Sequence, residues 1–381
     1  MIYLYNDNAG PQGGVETLTH ALATQLKRDE IPFQVLVSEA EPCPIFDEME
    51  EQGMDIFRLP RIPGDRWRVR HHLLLLLLRW RLEPGDWVYC VRPPSLYLNV
   101  VRAAHEAGAK VGVRWSLAPR YRPGSPSFNQ AVEETDAVVS TSRCTLDQFQ
   151  EEYGYEGPIH VVRSHNLQFF DDVVPMPEGP PWRIGFMGRI DVEHKNLDTL
   201  LTAFAGIAED EEAVEFHLYG GGDIERIESL AEDLGVEDCV FCHGRYDHKN
   251  DLPSIVRNCH FFVYTSRREG GPCFSLLELL QAGRFVVASP VGGIPDLYAG
   301  HSNVGRLVPS DEPNQIAEAL RDTLRMVRDG NIDPHRIRER YFEEFDMASA
   351  HNEWRKVILE ANGQPGSYFT TAEGEISQGQ S

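Results

Sequence analysis

The chain has 381 residues, more than one ordinary hydrophobic core absorbs, so two domains are expected. It is 41% hydrophobic and 10% aromatic, the balance of a soluble globular protein. Its 59 acidic residues outnumber 36 basic ones, and the net charge of -23 disfavours broad nucleic-acid binding.

Lysine occurs five times against 31 arginines, a pattern that fits a saline cytoplasm and a GC-rich genome equally well. The chain opens with Met1-Ile2-Tyr3-Leu4-Tyr5 and reaches Asn6-Asp7 at once, with no basic start followed by a long apolar stretch. The longest apolar run, Leu73 to Leu78, is far too short to span a bilayer. The expected location is the cytoplasm, with the inner face of the cytoplasmic membrane left open. Seven cysteines make an odd, scattered set. Cys239-Val240-Phe241-Cys242 has CxxC spacing, but in a strand its sulfurs face opposite ways, and zinc needs more ligands. No metal is expected.

Strands are predicted in chain order at Ile2–Asn6, Phe33–Val37, Trp87–Val91, Lys110–Val113, Ala137–Ser140 and His160–Val162. Helical spacing fills Val15–Arg28, Arg68–Leu82, Leu96–Ala107 and Arg143–Glu152 between them. Asp171 to Pro181, DDVVPMPEGPP, then reads as a linker. The alternation restarts with strands at Arg183–Met187, Glu215–Tyr219, Val240–His243, His260–Tyr264, Phe285–Ala288 and Arg306–Val308. Helices fit Asn196–Ala208, Ile224–Leu234, Leu252–Asn258, Phe274–Ala282, Asn314–Val327, Pro334–Glu343 and Met347–Ala361. Gly363 to Ser381 is polar and reads as a disordered tail. The implied architecture is α/β: two Rossmann-like, doubly wound domains, 1–170 and 182–345, joined by the linker 171–181 and facing a central cleft. Ligands in such sheets sit beyond the carboxyl ends of strands.

Four motifs fall there. Gly10-Pro11-Gln12-Gly13-Gly14-Val15-Glu16 follows the first strand and opens a helix, where free N–H groups favour a phosphate. Phe186-Met187-Gly188-Arg189 precedes Glu193-His194-Lys195-Asn196, which puts two cations near a helix start that Asn196 can cap. Tyr219-Gly220-Gly221-Gly222-Asp223 resembles a dinucleotide fingerprint, but Glu225 stands where the third glycine belongs, so a tight turn near a nucleotide is the better reading. In Ser266-Arg267-Arg268-Glu269-Gly270-Gly271-Pro272-Cys273-Phe274-Ser275-Leu276-Leu277-Glu278, two carboxylates suit vicinal hydroxyls, one for a sugar and one for a ribose.

These motifs resemble the family 4 retaining glycosyltransferases of the GT-B fold, over Met1 to about Ala361. The resemblance implies that Gly13 and Gly14 face the donor, that Arg189 and Lys195 bind its diphosphate, and that Glu269 with the backbone of Gly270 and Gly271 holds the transferred sugar. It implies that Glu278 binds the ribose and that His243-Gly244-Arg245-Tyr246 contacts the base. It also implies a last helix, about 346–361, that crosses back to the first domain. Two departures stand out. Eight residues, not seven, separate Glu269 from Glu278, and Val113-Arg114-Trp115-Ser116 lacks the histidine that members often carry there. The expected activity is retaining transfer of a sugar from a UDP-, GDP- or ADP-sugar to a saccharide or lipid-linked saccharide, as in cell-surface polysaccharide or glycolipid synthesis. No cofactor is expected. A sugar-nucleotide epimerase of the same fold, a sugar-phosphate synthase with a soluble acceptor, and a non-catalytic binding module are the rivals.

The acceptor side draws attention to Arg66-Trp67-Arg68-Val69-Arg70-His71-His72, ahead of six leucines, with Arg79-Trp80-Arg81 behind them. Arg114, Trp115, Arg120, Tyr121 and Arg122 form a second cluster. The residues fit either a buried helix with solvated ends or a basic, tryptophan-flanked surface on an anionic membrane, the second cluster gripping acceptor phosphates.

Overall fold

A computed structural model gives the architecture. The structure describes residues 1–9, 14–39, 43–59, 67–115, 125–166, 168–211, 213–248, 250–301 and 303–361.

The first domain runs β1 (Ile2–Ala9), α1 (Gly14–Arg28), β2 (Phe33–Glu39), α2 (Pro44–Glu51), β3 (Ile56–Arg58), α3 (Trp67–Arg81), β4 (Trp87–Cys90), α4 (Tyr97–Glu106), β5 (Lys110–Trp115), α5 (Pro126–Glu133), β6 (Ala137–Ser140), α6 (Arg143–Tyr153) and β7 (Ile159–Val161). The second runs β8 (Trp182–Met187), α7 (Val192–Lys195), α8 (Leu197–Ala208), β9 (Val214–Tyr219), α9 (Ile224–Asp233), β10 (Val240–Cys242), α10 (Leu252–Asn258), β11 (Phe261–Tyr264), α11 (Phe274–Gln281), β12 (Val286–Ala288), α12 (Ile294–Tyr298), β13 (Gly305–Leu307), α13 (Pro313–Arg328) and α14 (Pro334–Glu344), followed by α15 (Met347–Ala361). Among the described residues the strands form two parallel sheets, ordered β3-β2-β1-β4-β5-β6-β7 and β10-β9-β8-β11-β12-β13.

Both faces of each sheet are covered, which is why strands such as WVYC and AVVS are buried at every position. Strand alternation sends neighbours to opposite cores: Val111, Val113 and Trp115 to one, Trp87 and Tyr89 to the other. The six leucines divide the same way on a helix. Leu74, Leu75 and Leu78 are buried, while Leu73, Leu76 and Trp80 form an exposed stripe.

The last helix lies on the first domain. The Glu353 carboxylate accepts the backbone N–H of Arg163 at 2.7 Å and pairs with its guanidinium. His351 meets Asp29 at 2.8 Å, and Trp354 stands edge-on to Tyr89 at 4.6 Å. The proline-rich stretch read as a linker is tied along the second domain. Buried Arg284 donates to the carbonyls of Val174 at 2.7 Å and Pro175 at 2.6 Å, and Arg338 donates to that of Phe170 at 2.8 Å. Burial lowers the Arg284 pKa to about 10, so it keeps its charge and spends it on carbonyl dipoles.

Candidate active site between the two domains

The carboxyl ends of both sheets face a cleft of about 440 Å³. Gly14 and Thr17 of α1 contribute from the first domain, and Arg189, Lys195, Arg245, Tyr246 and Phe274 from the second. The Phe274 ring lies 3.4 Å from where a Cβ on Gly14 would stand, so the domains meet there. Gly220 and Gly221 line the same cleft. Gly220 has φ +155°, and a Cβ on it would fall 1.7 Å from the Gly188 carbonyl oxygen, so only glycine lets these two turns close together.

Arg189 follows β8. Its guanidinium reaches Asp191 at 3.3 Å and His194 Nδ1 at 3.3 Å. His194 Nε2 lies 2.9 Å from the Arg268 carbonyl, which can only accept, so Nε2 carries the hydrogen and Nδ1 is free to accept from Arg189. Burial, and then Lys195, lower the His194 pKa and hold it neutral. Its role in aiming Arg189 was not read from the sequence, where His194 is simply flanked by the charges of interest.

Lys195 ends α7, a single turn capped by Asp191, whose Oδ1 accepts from His194 N at 3.0 Å. Asn196 follows in the left-handed region with φ 55°. It does not cap α8 through a backbone N–H as expected; its Oδ1 accepts from the Thr199 hydroxyl at 2.8 Å. This extra turn before α8 brings Lys195 Nζ to 2.5 Å from Glu269 Oε1. Burial pulls the lysine pKa down, but the Glu269 carboxylate outweighs it and leaves it raised.

Glu278 lies on α11 with no exposed surface. Its Oε1 accepts from Asn166 Nδ2 at 3.1 Å and pairs with His248 Nδ1 at 3.3 Å. Its Oε2 has no partner among the described residues. A buried carboxylate oxygen is costly to leave bare, which sets Glu278 apart from a solvated surface glutamate. Burial pushes the His248 pKa down, but hydrogen bonding and charge from Glu278 more than reverse it. His248 lines the cleft and stands beside Tyr246, with ring centres 4.9 Å apart. It went unread in the sequence, because only the fold sets its loop against α11.

The cleft thus gathers Gly14, Arg189, Lys195, Arg245 and Tyr246, with Glu269 and Glu278 bonded to its lining. Gly13, Arg66, Arg120 and Arg122 lie outside the described residues, as do the side chains of Arg68 and Arg70. The second basic cluster needs correction. Trp115 is core, edge-on to Phe149 at 4.5 Å and Tyr153 at 5.3 Å, and cannot lie on a membrane. Arg114 points to the opposite face of β5 and is also buried, its pKa lowered by that burial. The two do not make a surface patch.

The domains match two family models. Residues 12–164 match Glycosyltransferase Family 4, and residues 181–326 match Glycosyl transferases group 1, so together they take in most of the chain. The chain belongs to the family 4 glycosyltransferases. Among its relatives, a phosphatidyl-myo-inositol mannosyltransferase of Mycobacterium tuberculosis is 29% identical over 174 residues, 45% of this chain and 43% of its own length. A poly(ribitol-phosphate) alpha-N-acetylglucosaminyltransferase of Staphylococcus aureus is 25% identical over 179 residues, 46% of this chain and 35% of its own. The match therefore spans less than half the length of these curated relatives. A glycosyltransferase structure from Rickettsia africae superposes with a TM-score of 0.76 at 14% identity, covering 94% of this chain and 98% of the other. The Anabaena protein HepE, solved with UDP and glucose, gives 0.74 at 16% identity, covering 94% of this chain and all of the other. Such identities show the fold, and it is the two-domain GT-B fold of this glycosyltransferase family.

Proposed function

We propose that the protein transfers a sugar, with retention, from a nucleoside-diphosphate sugar to a saccharide or lipid-linked saccharide. One observation carries this. Arg189 and Lys195 line the same cleft as His248, whose ring pairs with the buried Glu278 carboxylate, so cations for a diphosphate lie one side chain away from a carboxylate suited to a ribose hydroxyl. The anomeric C–O bond breaks and its electron pair goes to the diphosphate oxygen. Arg189 and Lys195 stabilise that charge, usually the largest catalytic term. The acceptor hydroxyl attacks on the same face, and its proton goes to the departing phosphate oxygen. Glu269 leaves Lys195 when the diphosphate arrives and takes up sugar hydroxyls. The names of the mannosyltransferase and N-acetylglucosaminyltransferase relatives and the UDP in HepE support a sugar-nucleotide donor. A thermal-shift screen over UDP-, GDP- and ADP-sugars, followed by determination of the product's anomeric configuration, tests the reading. No stabilisation by any of them, or an inverted product, would overturn it.

The acceptor reading includes an anionic lipid surface as the place where the first domain works. Leu73, Leu76 and Trp80 share one face of α3, with Trp80 81% exposed. In the sequence, arginines at 66, 68 and 70 precede this stripe, in a protein of net charge -23. Apolar residues flanked by basic ones fit a lipid interface. The patch is smaller than the sequence suggests. Arg79 is paired with Glu106 at 2.6 Å, and Arg81 donates to Gln34 at 2.5 Å and lies over the Phe57 ring. Sedimentation with anionic and neutral vesicles tests this part. Equal binding to both, or none to either, counts against it.

A further inference from the structure

The two domains touch beside Glu269, and the contact is made of hydroxyls. Between β6 and α6 lie Thr141 and Ser142. Ser142 caps α6, its Oγ accepting from Thr145 N at 3.3 Å. Both hydroxyls also reach the other domain. Ser142 Oγ lies 3.0 Å, and Thr145 Oγ1 2.7 Å, from the carbonyl oxygen of Gly270. The hydroxyls are 2.7 Å from each other. The Gly293 N–H of the second domain also reaches this carbonyl at 3.2 Å, so its two lone pairs take that N–H and one hydroxyl directly, with the other hydroxyl relayed through the first, or share the three donors.

The surrounding backbone has no slack. A Cβ on Gly271 would stand 2.1 Å from Thr141 Oγ1, and one on Gly293 2.6 Å from Ser142 Cβ. The Glu269–Gly271 loop is therefore held on two sides: by Lys195 and the Gly293 N–H within its own domain, and by Ser142 and Thr145 from the other. Separating the domains would take both hydroxyls from the Gly270 carbonyl and leave it the Gly293 N–H of its own domain alone.

We propose that Ser142 and Thr145 are positioning residues that act through the Gly270 carbonyl, so that domain closure sets the Glu269 loop against the transferred sugar. This rests on the reading of Glu269 as the sugar-holding carboxylate. Nucleotide binding uses Arg189, Lys195 and Glu278, none of which bonds these hydroxyls, so grip on the nucleotide and grip on the sugar separate.

Thr145→Val keeps the side-chain shape and removes the hydroxyl, while Thr145→Ser keeps the hydroxyl. Calorimetry of the full chain with UDP, GDP and ADP gives nucleotide affinity, and release of nucleoside diphosphate from UDP-glucose, GDP-mannose and ADP-glucose gives turnover. We expect Thr145→Val to bind the bare nucleotide within about twofold of wild type but to turn over the donor about tenfold or more slowly, with Thr145→Ser within about threefold of wild type on both. Gly271→Ala, whose methyl meets Thr141, should show the same split. Wild-type turnover in Thr145→Val, or nucleotide binding lost in step with turnover, overturns the positioning role and leaves the sugar-transfer reading standing. No turnover of any donor by the wild-type protein sinks both.

Discussion

Lys195 Nζ lies 2.5 Å from Glu269 Oε1 across 74 residues of sequence, and each charge answers the other. A diphosphate competes with Glu269 for Lys195. Glu269→Gln should therefore bind a bare nucleoside diphosphate as well as wild type or better, yet turn over the donor about a hundredfold more slowly. Glu278→Gln, which puts an amide in place of the carboxylate proposed to take a ribose hydroxyl, should weaken nucleotide and donor alike by about tenfold or more. Calorimetry with both ligands separates the two glutamates, and a matching loss of bare nucleotide in both variants would refute the division.

His194 predicts an acid limb. Neutral, it accepts from Arg189 through Nδ1; protonated, it has no lone pair to offer and adds a third positive charge beside Arg189 and Lys195. Its pKa is lowered, so kcat/KM should hold level near neutral pH and fall on acidification below the usual histidine range. His194→Gln should be slower, by about tenfold, without that limb. An unchanged acid limb in the variant assigns it to another group.

His260 sits fully buried, and its Nδ1 accepts from Arg183 N at 2.9 Å. Burial lowers its pKa to about 4. The unfolded chain takes up this proton near pH 6.5 and the folded one only near 4, so the stability is complete above the unfolded value and is lost as pH falls through that window. The shift corresponds to about 3 kcal/mol. His260→Asn, which keeps an acceptor and cannot titrate, should flatten the decline of Tm between pH 6.5 and 4. An equally steep decline would show that other groups dominate.

Trp80 and Trp115, one from each basic cluster, behave oppositely. Trp80 is 81% exposed, so Trp80→Ala should change stability by less than about 0.5 kcal/mol while reducing binding to anionic vesicles. Trp115 is 3% exposed within a ring cluster, so Trp115→Ala should cost about 3–5 kcal/mol. Denaturant melts distinguish them. A large loss from Trp80→Ala would place α3's open face in the core.

The difference between those residues shows what the sequence could and could not tell. Trp115 continues the alternation of Val111 and Val113, a period-two signal of a core face that a local count of charged and aromatic residues overrides. Repeated strand–helix alternation and the glycine-rich turns were enough to read both doubly wound sheets. Short elements such as β3 and α12 were missed, since three to five residues carry too little periodicity. Arg189, Lys195, Glu269 and Glu278 stand out because they fall in the two glycine-bearing motifs that follow β8 and β11. His194, His248 and the Ser142–Thr145 contact depend on tertiary neighbours 74, 30 and 125 or more residues away, which no local pattern encodes.

We propose that this cleft breaks the bond between a sugar and a nucleoside diphosphate with Lys195 taking the developing charge. Release of nucleoside diphosphate from UDP-, GDP- and ADP-sugars, compared between wild type and Lys195→Ala, tests it most directly. The predicted result is turnover of at least one donor by the wild-type protein and a loss of about a hundredfold or more in kcat/KM in the variant, equivalent to about 2.7–4 kcal/mol. Turnover that survives the substitution unchanged, or no turnover of any donor by the wild-type protein, would contradict it.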